Sequence, residues 1–169
     1  MSILFLDASA VVKYYIREPG STWVRGLIDA EAEQTSASLH TILIADVSVA
    51  EVAAAFAVIY RNGRLRRRVR DAAFDHFTDD VLRRYHLAGI KREHFFDAAR
   101  LTQQHPLKAY DAVQLAVALH QNRFLLTVHH TLTFISGDRK LLAAAVAEEL
   151  AIDNPFEHIS PQDLAAASQ

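Results

Sequence analysis

Ile3-Leu4-Phe5-Leu6-Asp7-Ala8-Ser9 is the stretch that decides the fold. Four apolar residues run straight into a carboxylate with no polar alternation. That is the pattern of a strand buried on both faces, as in a parallel sheet. Open parallel sheets hold their ligands outside the carboxyl ends of the strands. Asp7 therefore stands where chemistry would occur, and the rest of the chain is read for acids that converge on it.

Outward from this strand, the chain alternates helical and extended patterns. A helix is predicted from Ala10 to about Arg17, stopped by Glu18-Pro19-Gly20 because proline cannot continue it and glycine supplies the turn. Ser21 suits the N-cap of a second helix over Thr22–Ala32. Leu39–Ala45 reads as a second buried strand, with Asp46 capping a helix over Val47–Tyr60 that Asn62-Gly63 ends. A further helix is predicted over Arg64–Arg84, a short strand over Tyr85–Ala88, then helices over Glu93–Gln104 and Leu107–Gln121. Leu125–Val128 and Thr133–Ser136 read as strands, and Arg139–Leu150 as the last clear helix. Asn154-Pro155 and the Ala-rich tail read as peripheral. Strands alternating with helices predict an α/β layer with a parallel sheet.

Composition narrows the class. With 169 residues, 51% hydrophobic and 22% charged, the chain suits one well-cored domain. We expect the domain over residues 1–150, with 151–169 as its C-terminal extension. Cysteine is absent, which removes disulfides, thiolate zinc sites and a cysteine nucleophile, and fits a reducing, cytoplasmic setting. The start lacks a signal-peptide pattern, and no segment has the apolar length to span a membrane. A net charge of -2 gives no global attraction to nucleic acid, so any basic footprint must be local.

Four acids sit where the local pattern does not require them. Asp7 ends the first strand, and Asp138 follows the last one after Gly137. Glu51 has Val47, Ala54 and Ala55 as helical neighbours, a largely apolar face. Asp111 lies one turn from Leu107 and Leu115, with Lys108 and Gln114 at the edge of its face. Asp7 or Ser9, and Asp138, also read as ordinary helix caps. Glu51 and Asp111 are not explained by capping. An isolated buried carboxylate costs several kcal/mol and takes up a proton or a cation instead. Acids gathered at one sheet edge suit Mg²⁺ or Mn²⁺, which prefer carboxylate oxygens and water, and such ions support phosphodiester hydrolysis.

In order along the chain, Leu6-Asp7-Ala8-Ser9-Ala10, Val49-Ala50-Glu51-Val52, Tyr110-Asp111-Ala112-Val113-Gln114-Leu115-Ala116 and Ser136-Gly137-Asp138 resemble a PIN-domain nuclease. Tyr15-Ile16-Arg17-Glu18-Pro19-Gly20-Ser21 is similar, more narrowly, to VapC-type toxins of toxin–antitoxin pairs. The resemblance spans Ile3 to Leu142. It implies a three-layer sandwich with a central, mainly parallel sheet flanked by helices. It also implies a Mg²⁺- or Mn²⁺-dependent endoribonuclease with an RNA substrate, a VapB-type antitoxin partner and a homodimer. Asp7, Glu51, Asp111 and Asp138 match the family's acidic quartet of metal ligands and catalytic residues. Ser9 and Ser136 match the supporting hydroxyls, and Ser48 stands where a hydroxyl is common. Two features depart from the pattern: Lys108 replaces a frequent arginine, and the interval from Asp111 to Asp138 is longer than usual.

Other features are weighed beside this. Arg64, Arg67 and Arg68 lie in an arginine cluster that suits RNA phosphates, although a solvated helix face or a subunit contact is the more ordinary reading. His129-His130 has no third ligand at a telling spacing. Tyr14, Tyr15 and Trp23 read as core or interface residues. Two rival functions are a haloacid-dehalogenase-like phosphatase with Asp7 as nucleophile, and a PIN-like module that binds RNA or a partner without cutting. The phosphatase needs a second acid at position 9, where this chain has Ser9.

Overall fold

A computed structural model of the protein describes residues 2–31 and 38–167. The apolar opening forms β1 (Ser2–Leu6), followed by α1 (Ala8–Tyr15), α2 (Ser21–Ile28), β2 (His40–Ala45), α3 (Asp46–Arg61), α4 (Arg67–Arg83) and β3 (His86–Ala88). The second half contributes α5 (Arg92–Gln104), α6 (Ala109–Thr127), β4 (Leu132–Ile135), α7 (Arg139–Ala147), β5 (Ala151–Asp153) and α8 (Pro161–Ala167), with a 3-10 turn at Pro155–Glu157. The strands form one sheet in the order β3-β2-β1-β4-β5, and every pairing between them is parallel.

Alternation along β1 sends Leu4 and Leu6 to one face and Phe5 to the other. On the first face they meet Val11, Val52, Phe56 and Phe77 from α1, α3 and α4. On the second, Phe5 stacks on Phe134 at 5.6 Å and both lie under Leu101, Leu115 and Leu141 from α5, α6 and α7. A strand covered on both sides has no wetted face, which accounts for its unbroken apolar run. The result is helices, sheet, helices: the three-layer sandwich.

From β1 the chain works outward through β2 and β3, then crosses to β4 and β5 on the opposite side. Connections therefore leave β1 and β4 in opposite directions, and a crevice opens at their carboxyl ends. Asp7 follows β1 directly and Asp138 follows β4 by three residues, so topology brings both to the crevice.

Three local readings are corrected. Leu125–Val128 is not a strand, because α6 runs through Thr127. No glycine or proline interrupts it, so helix propagation prevails over the apolar pattern. His129 then closes the helix at φ 60°, with the His129 and His130 N–H groups bonded to the Leu126 and Leu125 carbonyls. The extra length between Asp111 and Asp138 is thus additional helix. The last predicted helix stops at Ala147 because Glu149 turns at φ 63°, which frees Ala151–Asp153 to pair with β4. Ser21 is the first residue of α2 rather than its cap. Gly20 holds the cap position at φ 86°, while the Ser21 hydroxyl accepts from the Glu18 N–H and donates to the Ile16 carbonyl. The end predicted for this helix, Ala32, lies outside the described residues.

The tail is not peripheral. Asp163 is buried and takes hydrogen bonds from the Gly20 and Thr22 N–H groups and from the Thr22 hydroxyl. It satisfies the N-terminus of α2 from 141 residues away. Burial pushes its carboxyl up, but the bonds from Ser160 and Thr22 prevail and hold it down at about 2.

Candidate functional site

A cavity of about 480 Å³ opens at the carboxyl ends of β1 and β4, lined by Asp7, Glu51, Asp111 and Asp138 together with Ser9, Lys13, Gln114 and Phe156. Four separate elements deliver the acids. Asp7 caps α1, Glu51 lies in the second turn of α3, Asp111 in the first turn of α6, and Asp138 caps α7. The capping reading and the cavity reading of Asp7 and Asp138 are both true. A cap uses one carboxylate edge: Asp138 Oδ1 accepts from the Lys140 and Leu141 N–H groups at 2.7 and 3.1 Å.

Asp7 is fixed by a directed network. The Gly137 N–H donates to Ser9 Oγ at 2.9 Å, and the Asp138 N–H donates to Ser136 Oγ at 3.0 Å. A backbone N–H can only donate, so each hydroxyl must send its single hydrogen onward. Both send it to Asp7, at 2.8 Å in each case, and the Ala10 N–H adds a third bond at 2.9 Å. Three hydrogens serve about four lone-pair sites on the carboxylate. One acceptor position is left over. Ser136 itself is fully buried beneath the cavity.

The electrostatics set this site apart. Burial raises Asp7 to about 6; its three hydrogen bonds lower it and the nearby Asp111 charge raises it further. Glu51 is raised by burial, with Asp111 and Asp7 adding to the shift and the Gln114 hydrogen bond opposing it. Asp111 is raised by burial and by Asp138, against the Lys108 ammonium and a backbone hydrogen bond at Lys108. Among the described residues, none of the four acids forms an ion pair. Lys13, the one ammonium in the cavity lining, is committed elsewhere. It binds Glu18 at 3.1 Å and the Pro19 carbonyl at 3.0 Å, and lies over the Phe156 ring.

Sequence reasoning placed Gln114 only at the edge of a face, read Glu18 only in a helix stop and a family-like stretch, and passed over Lys13 and Phe156. Gln114 is buried, takes the Ser48 hydroxyl on Oε1 at 3.1 Å, and donates from Nε2 to Glu51 at 2.6 Å. It thereby aims Glu51 into the cavity. An amide inside the apolar run Ala112–Ala118 was the available signal. Phe156 gives no such signal, because only the fold of β5 and the following turn carries it to the site. Arg64, Arg67 and Arg68 are exposed and do not line the cavity; Arg67 faces Asp71 at 3.7 Å.

A second cluster joins α5 to α6, where ligand-type atoms of Glu93, His94 and His120 lie within 4.8 Å of one another. His94 Nδ1 accepts the Lys91 N–H at 3.0 Å, so its neutral ring keeps its proton on Nε2. His120 Nε2 faces Asp97 at 2.6 Å. The cluster reads as a satisfied helix junction, and it shares no residue with the cavity lining. His129 and His130 stay exposed at the end of α6.

The family model described as PIN domain matches residues 4–147. The chain belongs to the PIN-domain family. No curated protein matches it. Among solved structures, this PIN domain is similar to PAE2754 from Pyrobaculum aerophilum, at TM-score 0.59 and 20% identity over 100% of this chain and 91% of that one. It is also similar to VapBC2 from Rickettsia felis bound to a DNA fragment from their promoter, at TM-score 0.58 and 15% identity, covering 90% of this chain and 98% of that one. A toxin–antitoxin complex from Klebsiella pneumoniae matches at TM-score 0.54 and 16% identity, again over 90% and 98%. Identities this low speak to the fold alone. Among the described residues, no helix is long and apolar enough to cross a membrane.

Proposed function

We propose that this PIN domain is a VapC-type toxin: a cytoplasmic, metal-dependent endoribonuclease that forms a homodimer and is restrained by a VapB-type antitoxin. The observation that carries the reading is uncompensated charge. Four carboxylates meet in one cavity, three of them with pKa values raised by burial, and none is in an ion pair among the described residues; Lys108 offsets the charge of Asp111 only in part. An all-oxygen donor set of this kind fits Mg²⁺ or Mn²⁺ better than zinc. Support for the toxin reading comes from family membership and from the toxin–antitoxin complexes among its structural likenesses.

Asp7 and Asp111 would be the principal ligands, with Glu51 and Asp138 completing the site directly or through water. A bound ion supplies a water of lowered pKa and offsets charge on a phosphoryl group. The chain's own part is positional. Ser9 and Ser136 lock the Asp7 carboxylate in place, and Gln114 holds Glu51. Asp7, raised to about 6 by burial, ionises fully only at neutral pH and above, and Glu51 and Asp111 are shifted in the same direction. The phosphatase alternative loses its footing with family membership, and the position where its general acid would stand holds Ser9, which donates to Asp7.

The test is cleavage of a structured RNA by purified protein with Mn²⁺, with chelator, and with Asp111→Asn. Expected are cleavage in Mn²⁺ alone and a loss of about a thousandfold or more in the variant. Cleavage that persists in chelator, or survives the substitution, defeats the assignment. RNA binding without metal-stimulated cleavage would instead favour a non-catalytic module. A milder effect is expected from Gln114→Leu, which strips Glu51 of its donor and orphans the Ser48 hydroxyl. Mn²⁺ affinity, read by calorimetry, should fall about tenfold; unchanged affinity would remove Gln114 from the site.

A further inference from the structure

The acid cavity has a neighbour of opposite character. A second groove, also of about 480 Å³, shares Asp111, Gly137 and Asp138 with the cavity and is otherwise lined by Lys108, Arg139 and Lys140 with Pro106 and Leu107. Asp111 and Asp138 form the divide. On the cavity side lie Asp7, Glu51 and the internally paired Lys13 and Glu18. On the groove side every other charged group is a cation. Lys108, Arg139 and Lys140 are exposed, and among the described residues none of their side chains makes an ion pair or hydrogen bond. Lys108 precedes the first residue of α6, while Arg139 and Lys140 open α7. Both helices thus point their positive ends toward the same groove.

We infer that this groove is the track of the RNA strand: phosphates flanking the scissile one lie on Lys108, Arg139 and Lys140, and the strand crosses the Asp111–Asp138 divide to meet the metal site. The inference rests on the ribonuclease reading above and adds the path and polarity of approach. A polyanion entering over Asp7 and Glu51 meets carboxylates and a lysine already paired with Glu18. Entering over the groove, it exchanges condensed counterions for three fixed cations, two of which sit within two residues of Asp138. Arginine there also offers a fork matched to phosphate oxygens. The exposed Arg64, Arg67 and Arg68 line neither hollow, so they provide a comparison of equal charge at a different place.

The experiment measures binding of a short, fluorescently labelled single-stranded RNA in chelator, so that no turnover occurs, across a salt series. The protein carrying Arg139→Ser with Lys140→Ser is compared with Arg67→Ser with Arg68→Ser; each pair removes two positive charges from exposed positions. Lys108→Ser serves as an independent third variant. Expected for the groove pair is an affinity loss of about tenfold and a slope of log K against log salt shallower by about 1.4, the value for two phosphate contacts on a single strand. Expected for Lys108→Ser is a slope change of about 0.7. The Arg67/Arg68 pair should change affinity less than about twofold. Equal effects from both pairs mean that net charge alone is being read, and a larger effect at Arg67 and Arg68 moves the track elsewhere; either overturns the groove. If the parent protein still cleaves RNA in Mn²⁺ in those cases, the nuclease reading stands without it. Failure of the parent to bind RNA at all overturns both.

Discussion

Asp7→Asn should make the metal-free protein more stable at pH 7.5 while abolishing its cleavage of RNA. The two effects have one cause. Asp7 is 5% exposed, and its carboxyl is raised from 3.8 to about 6 chiefly by burial. The folded state therefore holds a proton that the unfolded state has released between those two values. By linkage, the stabilising contribution of protonated Asp7 is fully present below about pH 3.8 and is lost as pH rises through about 6. Glu51 and Asp111 are shifted in the same direction, so the acids of the site should add stability to the metal-free protein when it is taken from pH 8 to pH 5. His40, His94 and His120, whose pKa values burial lowers, contribute in the opposite sense. Asparagine does not titrate and escapes the loss. The interval at Asp7 corresponds to about 3 kcal/mol. A smaller gain, about 1–2 kcal/mol, is expected because an amide matches the converging donors less well than a carboxylate does.

Mn²⁺ should reverse the order. At a hundred times its dissociation constant, an ion that binds only the native state adds about 2.7 kcal/mol. The parent should gain this and Asp7→Asn should not. Urea unfolding at pH 5 and pH 7.5, with chelator and with Mn²⁺, measures all four quantities. A variant equally destabilised at both pH values in chelator would show that Asp7 serves only as a hydrogen-bond junction.

Gly20→Ala should cost about 3 kcal/mol or more. Gly20 holds φ 86°, where a side chain costs about 1 kcal/mol, and an added Cβ would lie 2.4 Å from the Pro155 carbonyl oxygen. That neighbour is backbone, so relief requires moving the turn that carries Phe156. Phe156 touches Lys13 and lies 3.1 Å from the place a Cβ would take on Gly137, so the disturbance should reach the cavity wall. Loss of melting temperature by about 6–12 °C is expected, together with reduced cleavage. Gly26→Ala is the control: it lies in α2 with nothing within 4 Å of the added carbon. It should be neutral or gain up to about 1 kcal/mol of helix propensity. Similar melting temperatures for the two variants would show that the contact between Gly20 and the Pro155 turn is not needed.

How much of this was legible in the chain depended on distance along it. Ile3–Leu6 announced a strand buried on both faces, because burial leaves a continuous apolar run, and the ordered acids with their neighbours announced the PIN family. Both signals are local and survive in one dimension. Leu125–Val128 misled because a short apolar run reads alike in a helix end and a strand, and only the closure at His129 settles it. Ser21 misled because Asp163, far along the chain, caps α2 in its stead.

At the site the same division holds. The residue pattern marked which carboxylates are out of place, and the family resemblance set Ser9 and Ser136 beside them. Tertiary structure decided that Asp7, Glu51, Asp111 and Asp138 face one cavity, since strand order 3-2-1-4-5 alone opens a crevice between β1 and β4. It also decided that both hydroxyls point to Asp7, because backbone N–H groups at Gly137 and Asp138 leave them no other direction. Hydrogen-bond direction and desolvation are properties of groups meeting in space, and neither is written in the spacing of residues along the chain.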